Sequence, residues 1–132
     1  GGIFAKVDLE TGWVEDGQRI ENSQRIVMKH HPDTNLSFTI QLPHWELIIS
    51  TLLDISNYLP QLSYIGYDIL ITEHGFKIIE MNSLTAPVVL PFFFPLLEDD
   101  YSRSFFKELF MKNPRKYKRM LKTIKEIESI KS

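Results

Sequence analysis

Apolar and polar positions alternate along "GIFAKVD" (Gly2–Asp8) and stop at Asp8-Leu9-Glu10-Thr11-Gly12, a turn signal. That predicts a strand and a hairpin continuing through Trp13-Val14. "RIVMK" (Arg25–Lys29) reads as a third short strand. His31-Pro32-Asp33-Thr34-Asn35 is turn chemistry, because proline fixes φ and Asp and Asn supply local acceptors. "LSFTIQL" (Leu36–Leu42) alternates again, more weakly. Pro43 suits the first turn of a helix. From His44 to Leu59, Ile48, Leu52, Ile55 and Leu59 recur at spacings of four, three and four, and Ile49 and Leu53 widen the stripe. Pro60 ends that helix. Strands at 64–71 and 76–82 follow, then a Pro- and Phe-rich loop. The tail from about Ser102 to Ser132 has helical period, with a break near Asn113-Pro114, since proline cannot continue the hydrogen-bond ladder. The order predicts an α+β fold with helices packed on a largely antiparallel sheet.

The paired strands raise a chemical question, because Asp68, Glu80 and Asn82 stand among Ile, Leu and Tyr. A three-residue Glu73-His74-Gly75 loop, with Gly75 left-handed, is one common hairpin connection. It pairs Thr72 with Phe76, sets Asp68 opposite Glu80, and places Asn82 on the same face opposite Gly66. Opposed Cβ atoms lie about 4.5–5.5 Å apart, and like charges there destabilise a sheet. A cation between the carboxylates, or a raised pKa, relieves the repulsion. Two carboxylates and an amide oxygen form a hard, all-oxygen set that suits Mg²⁺ or Mn²⁺ over zinc or copper. A two-residue loop instead sends Asp68 and Glu80 to opposite faces, as ordinary solvent-facing residues. Both faces are otherwise largely apolar, which makes carboxylates on either one notable.

At 132 residues the chain suits one domain. Its 43% hydrophobic and 24% charged residues are those of an ordinary globular protein. The lack of Cys excludes disulfides, zinc–thiolate sites and thiol nucleophiles. Adjacent His30 and His31 point apart on an extended chain, so they make a poor metal pair. No secretory signal opens the chain, and the longest apolar run, Ala86–Leu97, is too short to span a bilayer and holds three prolines. A cytoplasmic setting is expected. The chain begins with Gly rather than Met, as expected of a processed product or a piece of something longer. Charge is uneven: residues 1–102 hold five Lys and Arg against 14 Asp and Glu, while residues 103–132 hold ten against three. The basic tail reads as a solvated helix face, with a nucleic-acid or anionic-lipid surface as the alternative.

The hairpin "GYDILITEHGFKIIEMNS" resembles the metal-binding hairpin of ATP-grasp enzymes, where an Asp on one strand and Glu-x-Asn on the next hold the Mg²⁺ ions of ATP. In order, "GGIFAKVDLETG", "HPDT", "LPHWELI" and "YIGYDILITEHGFKIIEMN" resemble the sugar-transfer-associated ATP-grasp family, related to α-glutamate ligases. The similarity covers roughly residues 1–90 and matches only the C-terminal part of that catalytic domain. It implies an ATP-grasp C-terminal subdomain over residues 1–98 and a basic amphipathic helical tail over 99–132. Carried over, Asp68, Glu80 and Asn82 are the metal ligands, with Mg²⁺ (or Mn²⁺) and ATP as cofactors. Arg25 stands where a basic residue meets a phosphate or carboxylate, with an ordinary surface Arg as the alternative. His31, within "HPDT", and Ser83, opening the loop after the metal strand, are placed toward substrate. Members more often carry Trp at Tyr67 and a small residue at Met81, and neither change touches a ligand oxygen.

The resemblance implies a bacterial, ADP-forming carboxylate–amine (or similar) ligase linked to cell-surface polysaccharide assembly, with ATP and an acid or amine substrate as partners. The family's phosphate-holding lysines, lid and adenine-contacting hinge precede these motifs. The piece is therefore expected to be inactive without that N-terminal half, because phosphoryl transfer depends on positioning and neutralising the phosphates. A non-catalytic binding or assembly module is the alternative. A PD-(D/E)xK-like nuclease fits less well: it wants a Lys where Asn82 stands, and the acidic body repels phosphate backbones. Nucleic acid and a transmembrane segment are thus not expected. "PVVLPFFFPLL" would make a large apolar patch if exposed. Either it folds into the core or it covers a neighbour, such as a homodimer mate. Tyr117, Met120, Leu121, Ile124, Ile127 and Ile130 share one face of the tail, which is expected to dock on its own domain.

Overall fold

The computed structural model describes residues 2–22, 24–83, 85, 87, 89–94, 96, 98–111 and 113–131. The expectations that touch Gly1, Ala86, Val88, Pro95 and Leu97 lie outside these residues. The fold is α+β, with antiparallel pairing and three α-helices. The chain forms two compact units, Gly1–Leu62 with Tyr67–Met81, and Ser63–Gly66 with Asn82–Ser132.

Strand β2 (Trp13–Glu21) organises the first unit. β1 (Phe4–Val7) pairs with it from Phe4↔Gln18 to Val7↔Val14, with an irregularity between Ala5 and Val7. β3 (Gln24–Met28) pairs from Gly17↔Met28 to Glu21↔Gln24, and β4 (Ile40–Gln41) at Trp13↔Gln41 and Val14↔Ile40. β2 is much longer than the expected Trp13-Val14: beyond an irregular stretch at Glu15 and Asp16 it is paired on both edges at Gly17 and Gln18, by β1 and by β3, despite the poor strand propensity of glycine. The Leu36–Leu42 alternation yields only the two residues of β4 and an isolated bridge from Ser37 to His30. Side-chain bonds compete there, with the Thr39 amide donating to Ser37 Oγ at 3.0 Å.

Helix α1 (Trp45–Tyr58) buries Ile48 completely and half-buries Ile49, Leu52 and Ile55, whereas Leu53, expected to widen the stripe, is exposed because it falls at its edge. Pro43 falls outside the helix, contrary to the expectation of a first-turn proline, because His44 takes the N-cap with φ 60° and ψ 21°. Strands β5 (Ile65–Thr72) and β6 (Gly75–Ser83) form a separate two-stranded sheet.

The second unit holds a 3₁₀ turn at Leu90–Phe92, α2 (Asp100–Leu109) and α3 (Pro114–Lys131). Asp99 caps α2, its Oδ2 accepting from the Ser102 amide at 2.6 Å. Asn113 caps α3, its Oδ1 accepting from the Lys116 amide at 3.1 Å, so the break falls at Asn113-Pro114 as predicted. Leu96, Phe106, Phe110, Met120 and Ile124 form a core against which Tyr64, Phe105 and Leu121 pack. The Tyr64 ring meets Phe106 edge-on at 5.5 Å, and burial pushes the Tyr64 hydroxyl's pKa up. Of the described part of the Phe-rich loop, Pro91, Phe92 and Leu96 are buried while Val89, Leu90 and Phe94 stay exposed, and α3 docks its apolar face on this core. Among the described residues no helix is long and apolar enough to cross a membrane.

Phe110 is 1% exposed and its neighbour Met111 72%. Phe110→Ala should lower stability by about 3–5 kcal/mol in urea unfolding followed by circular dichroism, and Met111→Ala by well under 1 kcal/mol. Equal effects would contradict the described core.

Candidate functional site

Two-residue hairpin turns of the primed types need positive φ at their first or at both central residues. Among the described residues φ is positive at Gly12, Asn22, Asn35, His44 and Gly75. Glu73 and His74 are therefore not in a primed turn, and Gly75, at φ +146°, takes the backbone region that favours glycine. The strand β6 includes Gly75, one residue earlier than expected, and Thr72 Oγ1 donates to the Gly75 carbonyl at 3.1 Å. At the hairpin base, a Cβ added to Gly66 would lie 3.8 Å from the Asn82 carbonyl and 2.8 Å from Thr85 Cγ2.

Asp68 and Glu80 are exposed on β5 and β6, and Asn82 is half-buried further along β6. None of the ion pairs among the described residues uses either carboxylate. Among the described residues no three His, Asp or Glu side chains gather as a metal site. Ser83 is exposed at the end of β6.

Arg25 and His31 belong to the other sheet and its turns. Arg25 is exposed on β3, paired with Ile20. "HPDT" builds its own turn. His31 Nδ1 accepts from the Asp33 amide at 3.2 Å, the His31 carbonyl accepts from the Asn35 amide at 2.8 Å, and Asn35 sits at φ 56°. With Nδ1 accepting, a neutral His31 carries its proton on Nε2. The ring lines an open cleft of about 430 Å³ with Phe4, Ala5, Asp33 and Phe38.

The sequence reading missed how "DLETG" and "LPHW" interlock. Asp8 Oδ1 accepts from the Thr11 hydroxyl at 2.6 Å and from the Thr11 amide at 2.8 Å, closing the β1–β2 turn. Trp45 Nε1 donates to the Leu9 carbonyl at 3.0 Å, and Gln41 Nε2 to the Thr11 carbonyl at 2.8 Å. Gly12, at φ +73°, leaves room for the indole: a Cβ there would lie 2.5 Å from Trp45 Cγ. Two further bonds tie α1 to the hairpin. His44 Nε2 meets the Glu73 carbonyl at 3.3 Å. Ser56 Oγ donates to the Leu52 carbonyl at 2.8 Å and meets the Tyr67 hydroxyl at 3.0 Å, so Tyr67 is the donor. Pro-His-Trp straight after a weak strand was the available signal. A second residue, Gln18 on β2, had none: it is 6% exposed, with no partner for its Oε1 among the described residues.

Residues 1–92 match the family model described as sugar-transfer associated ATP-grasp. No curated protein and no solved structure matches the chain.

The clamp generates two tests. Gly12→Ala must place a methyl inside the Trp45 ring at positive φ, and should cost about 2 kcal/mol or more in thermal unfolding; a neutral effect would contradict the clamp. The Thr11 hydroxyl, then the Thr11 amide, holds the Asp8 carboxyl below its ordinary value. Because the folded pKa is the lower one, the stabilisation is complete above the unfolded value, near about 3.9, and is lost as pH falls through the folded pKa. The advantage of the wild type over Asp8→Ala should therefore hold steady near neutrality and shrink in acid. An advantage unchanged at the acid extreme would contradict this.

Proposed function

This chain belongs to the sugar-transfer associated ATP-grasp family, and on that premise we propose that it is the C-terminal, metal- and nucleotide-binding part of an ADP-forming ligase. Asp68, Glu80 and Asn82 supply the oxygens that hold Mg²⁺ or Mn²⁺. The observation that carries the reading is the Glu73–Gly75 turn: negative φ at Glu73 and His74 with positive φ at Gly75 favours the three-residue loop, whose register sets Asp68 opposite Glu80. The closeness of the Gly66 Cβ position to the Asn82 carbonyl favours the same register. Facing carboxylates without a cationic partner are unfavourable alone and favourable around a divalent ion.

The reaction in view joins a carboxylic acid to an amine or similar nucleophile. A carboxylate oxygen takes the γ-phosphoryl group of ATP and ADP departs; the nucleophile then attacks the acyl carbon, phosphate leaves, and the attacking amine gives up a proton. A divalent ion held by Asp68, Glu80 and Asn82 would supply positive charge to neutralise the nucleotide phosphates. Arg25 is proposed to meet a phosphate or carboxylate, and His31 and Ser83 to face substrate. The acid and amine are placed in cell-surface polysaccharide assembly on the cytoplasmic side, with the catalytic part ending near residue 98 and the basic tail following it.

The test is a titration of the chain with Mn²⁺ and ADP, followed by NMR. Amide signals at Asp68, Glu80 and Asn82 should broaden first, and Glu80→Gln should weaken the effect roughly tenfold or more. Broadening elsewhere, or an affinity indifferent to Glu80→Gln, would contradict the assignment. Cleavage of plasmid DNA under the same conditions would favour a nuclease instead.

A further inference from the structure

Arg115, Lys118, Arg119, Lys122 and Lys125 are all exposed on α3. At about 100° per residue they fall within roughly one third of the helix circumference and span about 15 Å. The opposite face is taken up by the core, where Met120, Ile124 and Ile127 are 3%, 1% and 8% exposed. The stripe is thus presented by a packed helix whose apolar side is already used. Among the described residues one acidic side chain interrupts it, Glu126 on the same face, 3.7 Å from Lys122 in an exposed pair of little energetic weight.

We propose that this stripe is a docking surface for an anionic lipid bilayer, held electrostatically and without insertion of α3. A straight row of cations on one helix face complements a plane of phosphate headgroups, and each cation near such a surface strengthens binding about fivefold. The same unit exposes Tyr101 (79%) and Met111 (72%). Exposed Tyr is a residue type enriched at the membrane–water boundary. Nucleic acid fits less well. The stripe itself carries no aromatic or amide side chain on which bases could stack or pair.

The experiment is co-sedimentation of the chain with phosphatidylcholine vesicles, with and without phosphatidylglycerol, alongside the variant Lys118→Gln, Arg119→Gln, Lys122→Gln, Lys125→Gln. These side chains are exposed, so the variant should keep the wild-type circular dichroism spectrum. The wild type should bind only the anionic vesicles and be released by salt, and the variant should bind at least about a hundredfold more weakly. Equal binding to both vesicle types, or wild-type affinity in the folded variant, would overturn the proposal. So would tighter binding to duplex DNA or RNA than to anionic vesicles at equal ionic strength.

Discussion

Gly75 stands at φ +146°, while Glu73 and His74 before it keep ordinary negative φ. That combination is open to glycine and strongly disfavoured for residues with a Cβ, and it favours a three-residue bend over a primed two-residue one. Because strand side chains alternate with a period of two, one residue more or less in the bend moves every side chain of β6 to the other face. The chemistry proposed for Asp68 and Glu80 therefore hangs on a backbone angle several residues away. No property of the carboxylates themselves enforces their meeting.

The rest of the first unit holds that hairpin in place. Trp45 occupies the space over Gly12 and bonds to the Leu9 carbonyl, which ties the start of α1 to the β1–β2 turn. His44 and Ser56, at opposite ends of α1, then reach the Glu73 carbonyl and the Tyr67 hydroxyl. His44 does so from a left-handed conformation that costs a non-glycine residue on the order of 1 kcal/mol or more. The helix acts as a strut between a closed turn and a hairpin. In this light "DLETG" and "LPHW" are largely architectural: Asp8 and Thr11 close the β1–β2 turn, and Trp45 and His44 tie α1 to that turn and to the hairpin.

Much of the fold was legible because it depends on local pattern. The spacing of Ile48, Leu52, Ile55 and Leu59 predicts α1, and Asn113-Pro114 predicts the break between α2 and α3. What failed was set by tertiary pairing. β2 continues past Val14 because β1 and β3 both pair it at Gly17 and Gln18, and β4 shrinks because Ser37 captures a nearby amide. Pro43 reads as helical only if its successor does not turn left-handed, which His44 does. At the site, Asp68, Glu80 and Asn82 stand on the strands expected of them. The seating of Trp45 on Gly12 needed the fold, because nothing local in either stretch names its partner. Of the Phe-rich loop, for which two readings stood open, Pro91, Phe92 and Leu96 turn inward while Val89, Leu90 and Phe94 stay exposed.

The most direct measurement of the central claim is the β5–β6 register in solution, read from cross-strand nuclear Overhauser effects between backbone protons of a labelled sample. The account predicts effects that pair Asp68 with Glu80 and Thr72 with Phe76. Effects pairing Asp68 with Ile79 and Tyr67 with Glu80 would put the two carboxylates on opposite faces and contradict it.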